Sequence, residues 1–195
     1  IIAEARFLRG FHALQAQLHF RNPAYVDEAA YDVNDVESSK VANSGPIWDQ
    51  IIADFTAAAG ALPATQAQVG RATSWAALAF LAKTHMHSGD AGLIAAAIPV
   101  MENIVNNGPF SLVDKYEDNH LVATRNNSES IFEIQYAISS GDDQNSNKGV
   151  GLAHPYISPW GCCGFWQATQ DMVDVHHTNA DGLPWLGGEW KTVHI

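Results

Sequence analysis

The residues best suited to bind a ligand are aromatic side chains in the last third of the chain. Tyr156, Trp160, Trp166 and Trp185 stand among glycines and prolines, and residues 156–190 hold four of the six tryptophans. Such rings stack on the apolar face of a sugar, while neighbouring amides and carboxylates bond to its hydroxyls. These four residues are our candidate sugar-stacking residues. The alternative is that the rings form a small core beneath long loops.

Histidines offer the main alternative chemistry, metal binding. His85 and His87 are two residues apart, so on a helix their side chains point to different faces. His176 and His177 are adjacent, and Asp174 lies three residues before His177. No His-Glu-x-x-His pattern is present. We interpret the second group as a hydrated helix end and predict no metal site.

Residues 143–147 alternate oxygen-bearing side chains, as a calcium loop does. An EF-hand loop needs Gly at its sixth position and Glu at its twelfth, where this chain has Lys148 and His154. The segment is therefore not an EF-hand. A looser oxygen site is one interpretation, and a flexible polar loop is the favoured one.

Catalytic motifs are missing from the sequence. A glycosidase needs two positioned carboxylates, and none of the 21 acidic residues is marked by a motif. There is no Gly-x-Ser-x-Gly elbow, cysteine–histidine signature or phosphate-binding glycine loop. We predict no enzymatic activity, no catalytic residue and no cofactor.

Composition limits the class of protein. The 195 residues are 47% hydrophobic and 16% charged, as in a globular domain, and no apolar run could cross a bilayer. The net charge of −11 argues against a nucleic-acid partner. Cys162 and Cys163 are adjacent, which disfavours a bond between them, and we interpret them as small residues of a turn.

Four helices are predicted before residue 110, over residues 3–20, 47–61, 73–87 and 91–106, from apolar residues at three- and four-residue steps. Asn22-Pro23 should end the first, residues 24–46 should be irregular, and Thr73 or Ser74 should cap the third. In the fourth helix we expect a kink at Pro99. Its inward-facing residues should be Ile94, Ala97, Ile98, Met101, Ile104 and Val105.

The last two helices, joined by Ser-Gly-Asp, look like a tetratricopeptide hairpin, with Ala82 as the small contact residue and Pro109 near the repeat end. Beyond it, residues 129–136 alternate as a strand does, and residues 167–176 could form a short helix. The predicted fold is mainly α, with tetratricopeptide-like hairpins, a loop-rich aromatic region and little β. We expect one domain over 1–195, helical in 1–110 and loop-rich in 111–195.

Several motifs resemble, in chain order, the SusD/RagB-like family of nutrient-binding outer-membrane lipoproteins. They are AEARFLRG at 3–10, WDQIIADF at 48–55 with Leu62-Pro63, GRATSWAA at 70–77, NSESIFEIQY at 127–136, and GFWQATQDMVD at 164–174 with DGLP at 181–184. The chain departs from the family pattern at Ala168, where Pro is usual, at His176-His177, and in the short region 20–46.

The resemblance implies a non-enzymatic, cell-surface protein that captures oligosaccharides during polysaccharide utilization. It would pass them to a TonB-dependent, SusC-like outer-membrane transporter and would meet the membrane only through a lipid anchor outside this chain. Family members are longer at both ends, so we expect an inner fragment. The matched motifs look structural and carry over no ligand residues. The alternative is a helical-repeat scaffold that binds proteins and no sugar.

Overall fold

The structure, a computed structural model, describes residues 1–134, and within them the secondary structure is helical. Four α-helices follow one another: α1 over Ile2–Phe20, α2 over Trp48–Ala61, α3 over Ser74–His87 and α4 over Ala91–Asn107. Short 3-10 turns lie at Val36–Ser39, Tyr116–Asn119 and Val122–Thr124. The predicted mainly α fold of helical hairpins is confirmed. The candidate residues Tyr156, Trp160, Trp166 and Trp185 lie outside the described residues.

Local signals set the helix ends much as predicted. The Thr73 hydroxyl accepts a hydrogen bond from the Ala76 N–H at 3.2 Å and caps α3. The Asp90 carboxylate accepts from the Leu93 N–H at 2.9 Å and caps α4, after a turn in which Gly89 has φ +74°. Helix α1 ends at Phe20, before Asn22-Pro23, and α4 runs on through Pro99. The kink expected at Pro99 stays a prediction.

Each helix packs on the next one in the sequence, as in a helical-hairpin stack. The core lies among α1, α2 and α3 and centres on five phenylalanine rings with centroids 5.1 to 6.1 Å apart. These rings belong to Phe7, Phe11, Phe55, Phe80 and Phe132. Gly10 lets α1 approach α2, since a Cβ there would lie 3.2 Å from the Phe55 ring. Aromatic packing thus holds the first three helices together.

The predicted inward face of α4 is largely wrong. Ala97 and Ile104 are buried, but Ile94, Ile98, Met101 and Val105 are exposed. The reason is that α3 is the main packing partner of α4 within the described residues, so part of the broad apolar stripe of α4 is not covered by a helix there.

The strand predicted over residues 129–136 is also not found in its described part, residues 129–134. A strand needs a partner strand, and none lies beside this segment in the part of the chain that the structure describes. Phe132 of this segment instead packs against the aromatic core. Just before the segment, the Ser128 carbonyl accepts a hydrogen bond from the Ser111 N–H at 3.0 Å. Side-chain burial, and not a sheet, fixes its position.

Candidate functional site

A buried acidic residue anchors the irregular connection between α1 and α2. The Asp54 carboxylate, 1% exposed, accepts hydrogen bonds from Arg9 Nε at 2.7 Å and Arg9 Nη2 at 2.6 Å. It also accepts from the Tyr25 hydroxyl at 2.6 Å, and Arg9 Nη1 reaches Glu28 at 2.6 Å. Arg6 donates to the other Glu28 oxygen. We call Arg6, Arg9, Tyr25, Glu28 and Asp54 the Asp54 network.

The electrostatics of the Asp54 network are those of a structural anchor. The hydrogen bond from Arg9 is the main cause that holds the pKa of the exposed Glu28 carboxyl at about 2. Burial, and next the hydrogen bond to Asp54, raises the pKa of the Tyr25 hydroxyl above its ordinary value. Because its pKa is lowered in this way, Glu28 does not serve as a proton donor at neutral pH. It positions residues 23–28 against α1 and α2.

Residues 1–134 form one compact unit, which we call the helical unit. One cleft of the helical unit combines aromatic rings with amides. It measures about 250 Å³ and lies where the α2–α3 connection faces the chain after α4. We call it the Trp75 cleft; its lining includes Thr65, Gln66, Gln68, Trp75, Phe110 and Asn126. The Trp75 and Phe110 rings meet edge to face, with centroids 6.3 Å apart. This mixture of rings and amides suits a small polar ligand with an apolar face.

A second concave surface, of about 380 Å³, is apolar and lies along α3 and α4. We call it the α3–α4 groove; it is lined mainly by Ala79, Ala82, Met86, Met101, Val105 and Ile131. Two residues with titratable side chains, Lys83 and His87, also line this groove. Methionines in an exposed apolar groove are typical of surfaces that bind protein helices.

The histidines of α3 lie on different faces, as the spacing predicts. His85 is buried and its Nδ1 has no hydrogen-bond partner within residues 1–134, whereas His87 is exposed. No group of three or more histidine, cysteine, aspartate or glutamate side chains in the described part could hold a metal ion. Residues 143–147, His176 and His177 lie outside that part, as do Cys162 and Cys163.

Sequence reasoning missed the Asp54 network and the Trp75 cleft, because each joins residues from separate segments. One signal was available: Asp54 falls between Ile51 and Phe55 on the apolar face of α2. A charged residue on a buried face requires a partner of opposite charge. No helix in the described region is long and apolar enough to cross a membrane.

Comparisons with known proteins define the class of this helical unit. Comparison with protein-family models gives no match, and neither does comparison with curated proteins. Among solved structures, a SusD-like carbohydrate binding protein from Bacteroides fragilis NCTC 9343 is 32% identical with a TM-score of 0.57, covering 70% of this chain and 27% of that one. A SusD superfamily protein from Bacteroides vulgatus ATCC 8482 is 29% identical with a TM-score of 0.57, covering 68% of this chain and 28% of that one.

A third structure, a SusD-like protein from Bacteroides fragilis NCTC 9343, has a TM-score of 0.60 at 24% identity and supports the fold. It is matched over 73% of this chain and 28% of its own length. The chain therefore spans less than a third of the length of these structures. Sequence and fold together show that the chain is SusD-like, and the resemblance seen in its motifs is confirmed.

Proposed function

We propose that this protein is a non-catalytic, cell-surface carbohydrate-binding protein of the SusD type. The observation that carries the proposal is the 32% identity to a SusD-like carbohydrate binding protein, aligned over 70% of this chain. Supporting it, the described carboxylates of the Asp54 network are occupied by arginine and do not form a free acid–base pair. Retention of an oligosaccharide without turnover is the expected activity.

The proposed ligand contacts are Tyr156, Trp160, Trp166 and Trp185, where rings would stack on sugar faces. Replacing any one of them with Ala should weaken sugar binding by about 1–3 kcal/mol, by analogy with aromatic stacking in other complexes. Isothermal titration with neutral oligosaccharides measures this loss. Tyr31→Ala is the matched control, because Tyr31 is a half-exposed ring in the α1–α2 connection.

The stacking assignment fails if all four variants keep their fold, by circular dichroism, and bind like the parent protein. Product analysis after long incubation tests the absence of catalysis. Release of shorter sugars, abolished by changing one carboxylate, would replace the binding proposal with a hydrolase.

The finer proposal is delivery of the sugar to a TonB-dependent, SusC-like transporter, from a lipid-anchored position on the outer membrane facing the exterior. The complete gene and its neighbour test it directly. A signal peptide followed by a lipid-attachment cysteine, beside a transporter gene, is the expected arrangement. A cytoplasmic start with no such neighbour would contradict delivery.

A helical scaffold that binds protein partners is the second candidate function. The observation in its favour is the exposed, methionine-containing α3–α4 groove. This candidate predicts no affinity for any sugar. Titration of the protein with neutral oligosaccharides therefore separates the two functions.

A further inference from the structure

The Trp75 cleft is built from three separate stretches of the helical unit. Thr65 and Gln68 lie on the connection between α2 and α3, Trp75 lies in the first turn of α3, and Phe110 and Asn126 lie on the chain after α4. The placement of these three stretches against the start of α3 therefore sets its width. Backbone hydrogen bonds hold the connecting stretches, from the Ser74 N–H to the Pro63 carbonyl and from the Ser111 N–H to the Ser128 carbonyl, each at 3.0 Å. A cleft held in this way is formed before a ligand arrives, which reduces the ordering cost of binding.

The charged groups at this cleft already make hydrogen bonds within the protein. Arg71 donates to both carboxylate oxygens of Glu4, from Nε at 2.6 Å and from Nη2 at 2.7 Å, and its Nη1 reaches Gln68 Oε1 at 3.2 Å. A Glu133 carboxylate oxygen accepts from the Asn126 N–H at 3.0 Å. An anionic ligand would compete with Glu4 for Arg71, and a cationic one with the Asn126 N–H for Glu133, whereas an uncharged ligand would disturb neither contact.

The remaining lining combines an apolar corner with neutral polar groups. The planes of Trp75 and Phe110 are nearly perpendicular, at 89°, so the two rings form adjacent walls. The lining also includes the amides of Gln66 and Gln68 and the hydroxyl of Thr65, and the Gln66 amide is oriented by donating to the Ala72 carbonyl at 2.8 Å. Pyranose rings carry both surfaces that such a lining requires, a face of C–H groups and an edge of hydroxyls.

We propose that the Trp75 cleft is a binding site for one ring of a neutral saccharide, additional to the stacking residues proposed at 156–185. The inference rests on the proposed carbohydrate-binding function, and names a second place on the protein where that ligand class is held. Aromatic contact supplies affinity through the C–H face, and the amides select hydroxyl-bearing rings over purely apolar molecules.

The test uses a substitution that obstructs the cleft without touching the core. Thr65 is exposed and lines the cleft, so Thr65→Arg places a long charged side chain at its mouth. Thr56→Arg is the matched control, because Thr56 is exposed on α2 and does not line the cleft. Gln68→Ala, at another exposed position, removes a polar contact without adding bulk.

Binding is measured on the full chain by isothermal titration with neutral gluco-, xylo- and manno-oligosaccharides of six residues, and with hexagalacturonate as an anionic probe. We expect Thr65→Arg to weaken binding of the best neutral ligand at least about tenfold, and Gln68→Ala to weaken it a few fold. Thr56→Arg should bind as the parent does, and hexagalacturonate should bind more weakly than the neutral sugars.

Each contrary result has its own meaning. Neutral binding that survives Thr65→Arg but is lost on changes at Trp160 or Trp166 overturns the Trp75 cleft and leaves the proposed function standing. Tighter binding of hexagalacturonate overturns the neutral-ligand assignment. No binding of any oligosaccharide by the parent protein overturns the proposed function, and this inference with it. Circular dichroism of every variant confirms that folding is unchanged.

Discussion

Replacing Asp54 with Asn should loosen the α1–α2 connection and destabilise the helical unit. The substitution keeps the side-chain shape but removes the charge that receives two hydrogen bonds from Arg9 and one from Tyr25. Removing one partner of a fully buried ion pair leaves the other charge unpaired and costs about 3–5 kcal/mol of stability. Arg9 is a quarter exposed and keeps Glu28, so we expect about 2–3 kcal/mol from the free energy of unfolding.

Urea unfolding followed by circular dichroism measures the loss, and limited trypsin digestion reports on the connection itself. Lys40 is exposed in the α1–α2 connection, between Glu28 and the start of α2. Cleavage after Lys40 should therefore be faster in Asp54→Asn. Tyr25→Phe removes one hydrogen bond of the same network and should cost only about 1 kcal/mol. Glu28→Gln should have the smallest effect, because Glu28 is exposed and its ion pairs are screened by water and salt.

The outcome that refutes this reasoning is specific. If Asp54→Asn unfolds within about 0.5 kcal/mol of the parent, with unchanged cleavage after Lys40, the network is not an anchor. The same conclusion follows if Tyr25→Phe costs as much as Asp54→Asn. An equal loss would place the stabilisation in the hydrogen bond from the Tyr25 hydroxyl and not in the ion pair.

Three further predictions concern other parts of the helical unit. Gln17→Leu should cost about 1–3 kcal/mol in urea unfolding, because Gln17 Oε1 accepts from the buried Ile47 N–H at 2.8 Å; unchanged stability would show that water replaces the bond. Ile104→Ala should cost about 2–3 kcal/mol of stability, because the Ile104 side chain is only 9% exposed. Val105→Ala should cost less than about 0.5 kcal/mol, because Val105 is 77% exposed. Equal losses in urea unfolding would mean that the Val105 face of α4 is covered. Burial lowers the pKa of His85, against an opposing hydrogen bond with the Ala96 backbone, so the unfolded chain takes up this proton at higher pH. Stability should therefore fall as pH drops through about 6.5 towards that lowered pKa, and urea midpoints at several pH values should lose this component in His85→Gln but keep it in His87→Gln.

The helices could be predicted from sequence because their signals are local. Thr73 and Asp90 occur immediately before apolar periodic segments, and side-chain caps of this kind act within three residues. The apolar stripe of α4 could also be recognised in the sequence, but the sequence pattern does not indicate which other segment packs against that stripe. The exposure of Val105 follows from which helix lies next to α4, and that is a property of the fold.

The candidate sites were harder to predict because their residues are distant in the chain. Arg9 and Asp54 are separated by 45 positions, and the hydrogen bonds between them depend on how α1 meets α2. In the Trp75 cleft, Gln68 and Asn126 come together through the packing of α3 against the chain after α4. Periodicity and capping fix single helices, whereas a cleft needs the relative placement of several segments.

The exposed parts of the two surface features determine how function can be changed separately from stability. The Trp75 cleft and the α3–α4 groove each include a residue of the core, Phe132 and Ala82 respectively, but most of their lining lies outside the phenylalanine cluster. Substitutions at exposed positions such as Thr65 or Val105 therefore alter a binding surface without opening the core. Substitution of Phe7 or Phe55 would weaken every surface together, through loss of the frame. A binding defect that accompanies lost stability thus says nothing about a site, and only the exposed positions can distinguish sugar capture from partner binding.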